Sequence, residues 1–201
     1  MKKNKFQQKR EATYQKLIEA ADTCFLEKGF AATTLGDIVA LTGHTRGAFY
    51  THFKSKEEVF LHILDYRQQL SHGWTETPRQ YRPETTTLEE VVTMSVMKLQ
   101  EMLKGSENFK NWILVLVDFY LQTKHDPEMR NILKNKYQEW VAGIERFVDT
   151  LKEQGWVSPD KDSHRIATQI LAYNDGFSVN SVLFEGPDLR SYIQGLVRLL
   201  S

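Results

Sequence analysis

The stretch that most limits what this chain can fold into runs from Thr33 to Lys56, TTLGDIVALTGHTRGAFYTHFKSK. It predicts two short helices joined by a tight turn, with a third helix starting at its end. Thr34, followed three residues later by Asp37, is a capping box: the hydroxyl accepts a free N–H of the first turn and the carboxylate reaches back to the cap. Leu35, Ile38, Val39 and Leu41 then supply one apolar face at helical spacing. Gly43 suits the left-handed residue that ends a helix, and Thr45 is a second N-cap. In the helix that Thr45 opens, Ala48, Phe49 and Phe53 fall on the inner face. Thr45, Arg46, Gly47, Tyr50, Thr51 and His52 are left pointing outward, a set of groups able to donate to phosphates or to base edges. Ser55 with Glu58 reads as a third capping box, placing Lys56 at a helix N-terminus where dipole and ammonium both favour an anion.

Charge agrees with this. The chain of 201 residues is neutral, yet residues 1–56 hold 10 Lys+Arg against 5 Asp+Glu and the remainder holds 16 against 21. A basic head on an acidic body suits a head that meets a polyanion. Residues 2–10 carry five Lys+Arg and no acid, and are read as a solvated tail or an arm towards a neighbouring minor groove. The lone Cys24 excludes an internal disulfide and suits a reducing cytosol; among Ala20, Ala21 and Phe25 it reads as a core residue. The start lacks the apolar stretch of a secretory signal, and Trp112–Val117 falls far short of the roughly 20 apolar residues a membrane span needs. A cytoplasmic protein without membrane contact is expected.

The residues TRGAFYTHFKSKEEVF resemble the N-terminal DNA-binding domain of the TetR (tetracycline-repressor) family of bacterial regulators, and its drug-efflux repressors in particular. The resemblance covers about residues 9–65; Thr42 and His44 depart from the family's usual small apolar residue and valine. It implies an all-α chain of about nine helices, with a helix-turn-helix DNA-binding domain over 1–55 and a helical ligand-binding and dimerisation domain over 56–201. Arg46 is the candidate for reading a base, because a guanidinium fork matches the two major-groove acceptors of guanine; a phosphate contact is its alternative. Gly47 permits close approach to the duplex. Tyr50, His52 and Lys56 resemble the family's phosphate clamps, with Thr34, Thr45 and Thr51 as hydroxyl donors and Lys54 as an accessory cation.

The rest of the chain reads as helix throughout. The first helix is expected over Arg10–Lys28, the fourth from Lys56 to about Ser71, and a loop over 72–87. Thr86 with Glu89 opens a fifth, closed at Gly105; a sixth, Glu107 to about Lys124, is apolar on nearly every side and reads as the buried centre of the body. Asp126–Pro127 and Asp162 open two more, Gly186 and Pro187 stop the second of these near Glu185, and a last helix reaches the C-terminus.

Met94, Met97, Met102, Trp112, Phe119, Tyr120 and Trp140, with Tyr173 and Asn174 as polar partners, are candidates for the pocket of a small apolar effector that the resemblance implies; plain core is the competing reading. Ile170, Phe177, Ser181, Phe184, Tyr192 and Leu196 are candidates for a four-helix homodimer interface implied in the same way. No cofactor or metal is expected; Glu58 and His62, one turn apart, read as surface, and no catalytic motif is present. The expected function is a ligand-released, operator-binding regulator. A helical ligand- or partner-binding module blind to DNA sequence is the alternative, and an all-helical enzyme has no residues to work with.

Overall fold

Helix follows helix, with no strand among the residues that the computed structural model describes, 4–103, 106–184, 186 and 188–201. The elements are α1 (Lys5–Lys28), α2 (Leu35–Thr42), α3 (Arg46–Tyr50), α4 (Lys56–Leu70), a 3-10 stretch (Ser71–Gln80), α5 (Leu88–Met102), α6 (Ser106–Thr123), α7 (Pro127–Glu153), α8 (Ser163–Leu183) and α9 (Leu189–Leu200). Gly105 and Pro187, expected as helix stops, Glu185 and the first two residues of the basic arm lie outside the described residues.

Side-chain caps account for most of these starts. The Thr34–Asp37 box forms in both directions, with Asp37 N–H on Thr34 Oγ1 at 3.2 Å and Thr34 N–H on Asp37 Oδ2 at 2.8 Å. Gly43 closes α2 in the left-handed region at φ 67°. Asp126 caps α7, with Pro127 as its first residue, and Asp162 caps α8. Four expectations shift. Asn4 and Gln7 form a capping box of their own, at 2.8 and 3.1 Å, so α1 starts at Lys5 and the end of the basic arm is helix. Helix α5 opens one residue late, on a Thr87–Glu90 box, because the Thr86 carbonyl accepts the indole N–H of Trp156 at 3.1 Å. Ser55 does accept from Glu58 N–H at 3.2 Å, but the Glu58 carboxylate accepts from Lys54 N–H instead of closing the box. The expected loop after α4 winds into the 3-10 stretch.

Packing divides the chain into two units. The first comprises Met1–Arg67 together with Leu114–Gln122, so it runs past the expected boundary at residue 55 and takes in part of α6. Its core is a cluster of rings. Phe25, Phe30, Phe49, Phe53, Phe60 and Phe119 are all buried, and Phe119 stacks on Phe60 at 4.1 Å while meeting Phe30 edge-on at 4.8 Å. Such ring pairs add roughly 0.5–1.5 kcal/mol each beyond burial. A bidentate ion pair, Arg67 to Asp22 at 3.0–3.3 Å, ties α4 to α1. Helix α6 is not apolar all round in its surroundings: Val117, Tyr120 and Leu121 are exposed, against the expectation of a fully buried helix.

The second unit comprises Gln68–Ile113 and Thr123–Ser201. Within it α7 packs along α8, α9 packs against α5 and α8, and the 3-10 stretch lies on α5 and α7. Val92, Phe147, Val148, Leu151, Ile170, Ile193 and Leu196 belong to one buried cluster. At Gly195 of α9 the approach of α8 is so close that a Cβ would stand 2.1 Å from the Tyr173 hydroxyl oxygen and 2.3 Å from its ring carbon. Tyr173 has little freedom to retreat, since it donates to Ser191 O at 3.2 Å and stacks on Tyr192 at 5.6 Å. Gly195→Ala is therefore expected to destabilise the second unit by about 1–3 kcal/mol, the cost of overpacking. A denaturant titration with an unchanged midpoint would refute this.

Candidate nucleic-acid interface

Helix α3 is five residues long, and its position is set from beneath by Phe49 and Phe53, both buried. Phe53 rests on Tyr14 of α1 at 5.3 Å between ring centres. Thr45 caps α3 by accepting from Ala48 N–H at 3.3 Å, and Thr51 closes it by donating to Gly47 O at 3.0 Å. On the outer side stand Thr45, Arg46, Gly47, Tyr50, Thr51 and Lys54, all exposed, with Thr34 exposed at the start of α2. The Arg46 guanidinium has no carboxylate or carbonyl partner among the described residues. A Cβ on Gly47 would meet only Thr45 Oγ1, at 3.6 Å, so nothing inside the fold requires glycine there. The sequence reading thus gathers its outward set on one short, rigidly seated rod.

Two expected clamps differ from the others. His52 is half-buried, and burial, then the Arg10 charge, then His44 hold its imidazole below the ordinary histidine pKa. Lys56, expected on a phosphate, aims its ammonium into the first unit. Its Nζ donates to Phe30 O at 2.6 Å, Thr33 O at 2.9 Å and Ala31 O at 3.3 Å, and sits 4.3 Å over the Phe30 ring. Desolvation lowers its pKa. These bonds tie the side chain to the α1–α2 loop. From the other side Asp118 Oδ2 accepts Ala31 N–H at 2.8 Å, and it would lie 3.0 Å from a Cβ at Gly29, whose φ is +80°. Lys28 pairs with Asp37 at 2.5 Å; that bond, with those from Thr34, keeps the Asp37 carboxyl well below the usual range.

Beside α3 the structure shows a groove that sequence reasoning missed. It has a volume of about 480 Å³ and is lined by Gln7, Arg10, Glu11 and Tyr14 of α1, His52, and His62 of α4. The Tyr14 hydroxyl and His62 Nδ1 are 3.2 Å apart, so His62 is engaged within the unit. Gln7, Arg10 and Tyr14 share a helix face at spacings of three and four, a signal hidden as long as residues 2–10 read as a tail.

The candidate pocket residues do not converge. Phe119 belongs to the ring core of the first unit and is corrected to that role; its ring is covered by Phe30 and Phe60. Met97 and Tyr120 are exposed, Met94 and Met102 partly buried, and Trp112 buried. Trp140 packs on Val141, Ala167 and Leu171. Tyr173 and Asn174 are bound to α9, the latter accepting from the Tyr192 hydroxyl at 3.0 Å. Among the candidate interface residues, Ile170 and Leu196 are corrected to core, since both are buried in the chain's own cluster and present almost no surface to a partner. Phe177 and Tyr192 contact each other at 4.5 Å, and the buried Ser181 Oγ has no hydrogen-bond partner among the described residues. Phe184 is exposed, joined by Leu183 and Leu189, which the sequence reading had not singled out.

Comparison with known proteins points to one family of regulators. Residues 17–63 match the model for bacterial regulatory proteins of the tetR family, and residues 96–199 match that for the C-terminal part of BetI-type transcriptional repressors. The chain is similar to the HTH-type transcriptional regulator YwcC of Bacillus subtilis (strain 168), 28% identical over 200 residues, which is 98% of this chain and 88% of that one. It is also similar to the HTH-type transcriptional regulator QacR of Staphylococcus aureus (strain Mu50), 30% identical over 125 residues, 61% of this chain and 63% of that one. In fold it resembles the transcriptional regulator FadR from Bacillus subtilis, solved in complex with stearoyl-CoA. The TM-score is 0.67 at 18% identity, over 94% of this chain and 98% of that one.

Proposed function

The chain belongs to the tetR family of bacterial regulatory proteins, and from that premise we propose that this transcriptional regulator is a homodimeric repressor of a near-palindromic operator, released by a small apolar effector. The observation that carries the DNA-reading part is Arg46: a guanidinium without a partner among the described residues, at the first position of a helix whose back is locked by buried phenylalanines. In this reading two copies of α3 enter successive major grooves, about 34–36 Å apart or a multiple of that. Thr34, Thr45, Tyr50, Thr51, His52 and Lys54 contact phosphates and fix register, while Arg46 reads a base. Gly47 lets the helix backbone approach the duplex.

Dimerisation through the α8 end and α9 start is supported by the exposure of Leu183, Phe184 and Leu189 there. An effector held by the second unit is supported by FadR, whose structure holds stearoyl-CoA. Release requires that the effector bind better to the state whose two reading helices are out of groove register, because equal affinity shifts nothing.

The test is binding of the purified protein to duplexes from upstream of its own reading frame, against duplexes of unrelated sequence. One duplex bound in preference, at two subunits per site, is expected. Arg46→Ala should lose about 1–3 kcal/mol of that preference while keeping weak, salt-sensitive binding. Equal binding of all duplexes by the wild type would return the alternative of a helical module blind to sequence. Equal weakening by Arg46→Ala on every duplex would make Arg46 a phosphate contact.

A further inference from the structure

The groove between α1 and the end of α3 has no role in the reading above apart from His52. Its wall on α1 is rigid from the first turn, because the Asn4–Gln7 capping box starts the helix before the groove begins. Gln7 Oε1 is used in that box, and its amide NH₂ remains available as a donor. Arg10 is exposed and has no acidic partner among the described residues. Arg10 and His52 both line the groove, and after burial the guanidinium charge is the next cause that holds the imidazole below its ordinary pKa. Left alone, that pairing is repulsive; an anion between the two reverses its sign. Tyr14 forms the floor, with its ring 6.1 Å from His52 and 5.9 Å from His62, and its hydroxyl held to His62 Nδ1. Glu11 is the one carboxylate among the described residues of the lining and works against an anion.

We propose that this groove seats a backbone phosphodiester of the bound duplex, with Arg10 donating to the phosphate from α1 and His52 from the end of α3. The proposal rests on the DNA-binding reading. It adds a contact from the first helix, outside the helix-turn-helix, and one that carries no base information. His52 follows Thr51 directly, so the groove continues the exposed edge of α3 and meets the strand next to where α3 enters. An arginine is suited to this place because its planar fork can grip two phosphate oxygens.

Fluorescence anisotropy over a salt series tests this, using the full-length protein, its preferred duplex and an unrelated one. Arg10→Ala is expected to weaken binding to both duplexes several-fold and by the same factor, and to lower the slope of log K against log salt by about 0.9 per subunit. Glu11→Gln, from the same wall, is expected to tighten binding to both. An unchanged slope in Arg10→Ala, or a loss confined to the preferred duplex, overturns the proposal. Wild-type preference for one duplex together with an unchanged Arg10→Ala slope sinks this contact alone, whereas a wild type without preference sinks the reading beneath it. Inorganic phosphate is the other source of the same chemistry. If it shifts the His52 ring signals at concentrations that leave DNA binding intact, the groove belongs to a free anion and the proposal fails.

Discussion

Phe119→Ala is expected to cost the first unit about 3–5 kcal/mol, the usual cost of removing a fully buried ring. The residue has no exposed surface, and its ring is gripped on one face by Phe60 at 4.1 Å and at its edge by Phe30 at 4.8 Å. Truncation leaves a hole against two other phenylalanines that cannot close on it without pulling α4 from the α1–α2 loop. Hydrogen exchange resolves the effect best: amides around Leu17, Phe25, Ile38 and Phe49 should lose protection, although Phe119 lies far away in sequence. Phe119→Leu should recover most of the loss. If exchange in the first unit is unchanged while binding of an apolar effector falls, Phe119 serves a pocket after all and the core assignment is wrong.

Lys56→Met is expected to be the most costly polar substitution, at about 2–3 kcal/mol, the upper range for one hydrogen bond to a charged group, because three carbonyls share this ammonium and water can replace part of what they lose. Methionine keeps much of the stem and the contact with the Phe30 ring, so the loss measures the charge and its bonds. For a unit of this size each 1 kcal/mol shifts the melting temperature by about 4–8 °C. The competing role, a phosphate clamp, has the opposite signature: an unchanged melting temperature with a salt slope lower by about 0.9 per subunit. The two readouts move independently, so one variant decides between strut and clamp.

Much of this architecture was legible because its signals are local. A hydroxyl or carboxylate three residues before its target N–H caps a helix wherever it occurs, and Thr34, Thr45, Asp126 and Asp162 all do so. The outward set from Thr45 to Thr51 follows from the same counting once Phe49 and Phe53 are turned inward. What failed was pairing over distance. Asp118 meets Ala31 across 87 positions and Lys56 meets Phe30 across 26; neither partner leaves a trace in the other's neighbourhood. An ammonium at a helix N-terminus reads as an anion site until the carbonyls that surround it are seen. Periodicity showed that Ile170 and Leu196 lie on apolar faces, but a face does not say whether its own chain or a second copy covers it. The basic arm failed for another reason: Asn4 and Gln7 are a less familiar box than serine and glutamate, and they convert a presumed tail into a rod.

Because Leu114–Gln122 completes the first unit, that unit is not one continuous length of chain. A gene fragment ending at Arg67 would encode a module with its lid missing and Phe30 and Phe60 bare to water. Chimeras that graft one regulator's reading end onto another's sensing end would inherit a mismatched lid unless this insert travels too. Recombination therefore cannot treat the ends as interchangeable cassettes, and substitutions at Phe30, Phe60 and Phe119 must be accommodated jointly.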